Sequence, residues 1–130
     1  MELSLVAPIR QILNQPVVAD VAAEVRRQWQ SSRLPKRLRH GDRVAVAVGS
    51  RGVTNLATIV RATVEVLRDF GTQPFIVAAM GSHGGGTPEG QRQILADYGV
   101  NEEALRVPVK TDMTSVRGRR EQKRSLGGHA

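Results

Sequence analysis

Two short apolar runs constrain this chain more than any other feature, because each is broken by glycines and followed by a helical stripe. Val44-Ala45-Val46-Ala47-Val48 leads into Gly49-Ser50-Arg51-Gly52, and Pro74-Phe75-Ile76-Val77-Ala78-Ala79 leads into Met80-Gly81-Ser82-His83-Gly84-Gly85-Gly86. Unbroken apolar runs of this length mark strands covered on both faces, as in parallel sheets. The stripe Leu56, Ile59, Val60, Thr63, Leu67 and Phe70 follows helical 3–4 spacing, with Thr54 or Asn55 as its cap and Gly71 at its end. Thr87 before Pro88 is an N-cap with proline at the first helical position, predicting a helix over 88–98 that stops at Gly99. Strand–helix–strand–helix with connections this short implies adjacent parallel strands joined by a right-handed crossover. The expected fold class is α/β: a three-layer fragment with a small, mainly parallel sheet.

The flanks are less strongly patterned. Residues 5–13 mix apolar and polar side chains and read as a short strand or an extended arm. Val17, Val18, Val21, Val25 and Trp29 recur at helical spacing, predicting a helix over 17–31 with Pro16 in its first turn. Ser31 to Asp42, with Pro35 and Gly41, reads as a basic connector. Residues 106–113, like 5–13, are candidates for a further strand. At 130 residues the chain is one domain or part of one. We divide it into a domain over 1–116 and a basic tail over 117–130 expected to be disordered.

The absence of cysteine excludes a disulfide scaffold, thiolate metal sites, iron–sulfur clusters and a cysteine nucleophile. No apolar run approaches a membrane span and no targeting segment is evident, so a soluble cytoplasmic protein is expected. The net charge of +7 sits in two clusters, 33–43 and 117–130, each with five basic residues and one acidic residue. Such a balance raises nucleic-acid binding. Base-stacking platforms, however, need aromatic rings beside the cations, and the four aromatic residues lie outside both clusters. A solvated loop and tail are the better reading.

In parallel α/β sheets the loops after the strands emerge along one carboxyl edge, where ligands bind. Ser50-Arg51-Gly52 and Ser82-His83-Gly84 should therefore be neighbours. Arg51 offers a guanidinium suited to a carboxylate or phosphate. His83 offers a side chain that titrates near neutrality. The glycines let backbone approach a ligand, and the helix starting near Thr87 aims its amides at the same edge. An arginine for a carboxylate and a histidine for a proton suit chemistry at a carbon next to a carboxylate. Each feature also has an ordinary reading: a tight turn, a surface cation, a loop histidine bonded to its neighbours. The loop has neither the Gly-Lys-Ser/Thr of a P-loop nor the spacing of a dinucleotide fingerprint. His40, His83 and His129 show no metal-ligand spacing.

Val46-Ala47-Val48-Gly49-Ser50-Arg51-Gly52-Val53-Thr54-Asn55, followed by Pro74 to Gly85 and Glu89-Gly90-Gln91, resembles the nickel-dependent lactate racemase family. More narrowly, it resembles the branch with Gly-Ser-Arg-Gly and Met-Gly-Ser-His-Gly-Gly motifs, and the similarity spans about residues 5–115. The resemblance implies a Rossmann-like N-terminal domain over which a second α/β domain closes. It implies a nickel pincer nucleotide that accepts and returns the α-hydride of a 2-hydroxy acid, with two histidines taking the hydroxyl proton from opposite sides. Carried over by motif, His83 matches the first catalytic histidine and Arg51 the arginine that holds the substrate carboxylate. Ser50, Gly52, Gly81, Ser82, Gly84 and Gly85 match the cofactor-facing segments. This sequence has Gly52 where the best-described racemases have proline after the arginine, which leaves the substrate open.

In relatives the second catalytic histidine, the cofactor-attaching lysine, the nickel-binding histidine and the second domain all lie downstream. Here family-like sequence stops near Met113–Val116, and Lys36, Lys110 and Lys123 match no family motif. The resemblance thus implies a truncated N-terminal part that, alone, neither retains the cofactor nor racemises substrate. The alternative is a non-catalytic α/β module that binds a nucleotide or anion.

Overall fold

The computed structural model describes residues 7–14, 16–49 and 52–112. Its elements in chain order are α1 (Val21–Ser31), β1 (Arg43–Val48), α2 (Leu56–Asp69), β2 (Gln73–Ala78), α3 (Pro88–Asp97), α4 (Glu102–Leu105) and β3 (Val109–Lys110), with short 3-10 turns at Pro35–Arg37 and His83–Gly86. The three strands form one parallel sheet in the order β1-β2-β3, with Ala45 opposite Phe75, Ala47 opposite Val77 and Ile76 opposite Val109. The class is α/β, as expected, and 106–113 does supply the third strand.

Strand order decides where the helices go. Both crossovers step in one direction along the sheet, so right-handed connections put α2 and α3 on the same face. The core confirms that placement: Val48, Ile76 and Val109 from the strands pack with Val60 and Val64 of α2 and Leu95 of α3. Val100, Leu105 and Val107 close its β3 end. These residues provide one helical layer and the sheet. On the opposite face Ala45 and Ala47 are exposed, while Phe75 and Val77 are half-buried. The expectation that β1 is covered on both faces is therefore not met among the described residues. An unbroken apolar run records what a strand can tolerate on both sides, whereas the order of the strands decides which side receives a helix.

Helix α1 is shorter than expected. The Asp20 carboxylate accepts the Ala23 N–H at 2.9 Å and caps the helix there, leaving Pro16 to Val18 outside it, with Val17 91% exposed. α1 packs against α2 rather than the sheet, and has no fully buried residue. Its Arg26 reaches Glu65 of α2 at 2.6 Å. α2 is consequently buried on more than one side: Ala62, Val64 and Val66, all outside the predicted stripe, are buried with Val60 and Leu67. Asn55 occupies the cap position of α2 in a left-handed conformation and makes no side-chain cap bond.

Residues 7–13 form no strand, and Ile9 and Ile12 are exposed. Residues 5–6 and the tail 117–130 lie outside the described residues. Two features were not anticipated, the 3-10 turn Pro35–Arg37 inside the basic connector and the single turn of α4. In α4, Asn101 accepts the Ala104 N–H at 2.8 Å. Among the described residues no helix is long and apolar enough to cross a membrane.

Candidate functional site

The carboxyl ends of β1 and β2 meet. The Ala79 N–H donates to the Val48 carbonyl at 2.8 Å, and a Cβ on Gly49 would lie 3.8 Å from the Ala79 oxygen. The loops leaving the two strands thus start side by side, as parallel topology requires. Ser50 and Arg51, the polar half of the expected pair, lie outside the described residues. Gly52 is exposed, with φ 82°.

The second loop is fully described. The backbone turns out of β2 at Met80, whose carbonyl accepts the His83 N–H at 3.2 Å. Gly81 and Ser82 are exposed at the turn, and the half-buried His83 opens the 3-10 segment His83–Gly86. Inside it Gly84 and Gly85 adopt φ 65° and 69°. At Gly84 two requirements coincide: the left-handed backbone, and a close approach to α3 in which a Cβ would sit 2.4 Å from the Gly90 carbonyl carbon. The approach is mutual, since a Cβ on Gly90 would fall 1.9 Å from the Gly84 oxygen. Around Gly85 and Gly86 a Cβ would meet nothing within 4 Å, so the outer side of the loop is open.

α3 holds this loop from behind. The Thr87 hydroxyl donates to the Gly84 carbonyl at 3.1 Å and accepts the Gly90 N–H at 3.1 Å, tying loop and helix start into one unit. Gln91, only 4% exposed, donates its side-chain amide to the Gly81 carbonyl at 2.8 Å. The loop that carries His83 is thus pinned at both ends by one helix. Gln91 falls within the motif residues quoted above, but nothing in its spacing assigned it this part. The signal was a polar residue at a position that helical periodicity turns inward.

Of the remaining candidates, His40 packs against the backbone at Gly71, where a Cβ would meet its ring at 2.4 Å. A separate groove of about 460 Å³ runs between α3 and β3, lined by Glu89, Arg92, Gln93, Val100 and Val109 among others, and it contains none of the sequence-predicted site residues. Among the described residues no three His, Cys, Asp or Glu side chains gather as a metal site. Comparison with known protein families, curated proteins and solved structures finds no match to this chain.

Proposed function

We propose that this fold is the N-terminal part of a nickel-pincer-nucleotide-dependent 2-hydroxyacid racemase or epimerase, in a cytoplasmic setting. The motif resemblance suggests the reading. The observation that carries it is the pinned glycine loop, which presents His83 at the carboxyl edge of a parallel sheet beside the end of β1. In this proposal His83 takes the proton from the substrate hydroxyl and returns it, and Arg51 pairs with the substrate carboxylate. Ser50, Gly52, Gly81, Ser82, Gly84 and Gly85 give the nucleotide backbone and small side chains to lie against. The space beside Gly85 and Gly86 is open, which leaves that side of the loop accessible.

The metal is a different matter. The described residues offer no cluster of three ligating side chains, so they do not fit nickel by themselves. Nickel ligation and cofactor attachment would then fall to a second α/β domain. Fusing the chain to the second domain of a lactate-racemase-family protein tests this. The fusion should interconvert the enantiomers of a 2-hydroxy acid, and His83→Ala should slow it by roughly 10²–10⁴-fold. Cofactor retention and racemisation by the unfused chain would contradict the division of labour. Full activity in His83→Ala and Arg51→Ala fusions would remove the mechanism.

A second reading is favoured by the Thr87-capped start of α3, which supports a non-catalytic anion- or nucleotide-binding module. Titrating the chain with phosphate or a nucleotide, and following the amide signals of Gly81 to Thr87, reports on it directly.

A further inference from the structure

We infer that the open face of the sheet is a docking site for an amphipathic helix of a partner protein, one whose apolar stripe is bordered by carboxylates. The inference is independent of the proposed catalytic role, since it concerns the side of the sheet turned away from α2 and α3.

The run 44–48 in β1 is apolar on both faces, yet among the described residues only one is covered. Ala45 and Ala47 are exposed on β1, and Phe75 and Val77 are half-buried beside them on β2. In-register parallel pairing makes these four one continuous patch, since Ala45 lies opposite Phe75 and Ala47 opposite Val77. Parallel sheets normally bury both faces under helices. Three strands about 4.8 Å apart span about 10 Å, the width of one helix. Alanines on β1 beside larger side chains on β2 form a step along which such a helix can lie close to the sheet.

Charge selects the partner. The Arg43 guanidinium lies 5.3 Å and the Lys110 ammonium 5.4 Å from the centre of the Phe75 ring, one reaching in from β1 and the other from β3. Two cations therefore meet the apolar strip at Phe75, Arg43 from the start of the β1 row and Lys110 from β3 beside Val77, and the basic segment 33–43 runs directly into β1. A second copy docking sheet to sheet would set Arg43 and Lys110 against their own equivalents. Like charges across an interface are unfavourable, whereas glutamates flanking an apolar stripe would meet both. A single-stranded nucleic acid would match the charge. It needs successive rings to stack on, however, and this patch has one ring among aliphatic side chains.

The test uses the full 130-residue chain. It is titrated separately with a ~18-residue helix-forming peptide, about five turns long, whose Leu/Ala stripe is bordered by glutamates. The same peptide with lysine borders and an oligothymidylate are titrated alongside, and amide and methyl NMR signals are followed. The glutamate peptide should shift Arg43–Ala47, Gln73–Val77 and Lys110, and should bind at least about tenfold tighter than the lysine peptide. Arg43→Glu with Lys110→Glu should reverse that preference. Ala47→Glu should abolish binding of the glutamate peptide while the thermal transition of the chain stays in place. Equal binding of the two peptides, or shifts confined to other surfaces, would overturn the inference. So would tighter binding of the oligothymidylate, or concentration-dependent dimerisation through Phe75.

Discussion

The two faces of the sheet are made from the same strands and differ in almost everything else. On the covered face Ile76 and Leu95 are completely inaccessible, and Val48, Val64 and Val109 surround them. On the open face Ala45 and Ala47 are exposed, and the Phe75 ring has cations rather than a helix beside it. Apolar character in a strand therefore does not determine its burial. The direction in which the chain steps from strand to strand determines which face gains helices, and in this chain it steps one way only.

The largest expected difference between the faces is thermodynamic. Leu95→Ala should cost about 2–5 kcal/mol in denaturant unfolding, because it removes packed side-chain atoms and leaves a cavity. Ala47→Ser on the open face should stay within about 0.5 kcal/mol of the parent. Similar losses at the two positions would mean that the open face is covered in solution.

The site at the sheet edge shows a smaller effect. Gly90→Ala forces a methyl group into the Gly84 backbone and should cost about 1–3 kcal/mol, with amide shifts from Gly81 to Thr87. A comparable shift pattern without loss of stability would show that the loop yields more easily than its contacts suggest.

The smallest effect belongs to α1, which packs against α2 rather than the sheet. Glu24 is held at a pKa of about 2, chiefly by hydrogen bonds from Arg27 and then from Gln28. A depressed carboxyl pKa favours the folded helix above the ordinary value near 4.5, and the benefit is lost as pH falls through about 2. The α1 amide signals should titrate toward pH 2 in the parent, and Glu24→Gln should remove that titration. The Glu24–Arg27 pair lies at the surface of α1 and is screened by solvent, so the overall unfolding transition should scarcely move.

Much of this was legible residue by residue. The strands at 43–48 and 73–78 and the helix at 88–97 follow from apolar runs, a threonine cap and a proline at the first helical position. The glycine loop around His83 was legible as a loop, and its place at the carboxyl edge followed from parallel pairing. The start of α1 was misplaced because Asp20 outcompetes an apolar pattern that begins at Val17. In α2 the spacing marks one stripe, whereas the packing of α1 buries a further side. Gln91 went unassigned because its partner, the Gly81 carbonyl, is reached only once α3 folds back along β2.

By itself the sequence determined the local elements: which segments are strand or helix, where caps and glycines end them, and that the strands run parallel. These depend on backbone preferences and on contacts within a few residues. Only the tertiary structure decided which face of the sheet is open, that Arg43 and Lys110 flank Phe75 across it, and that one helix pins both ends of the His83 loop. Those relations join residues far apart in the chain, and they exist only after strand order and crossover handedness have placed the layers.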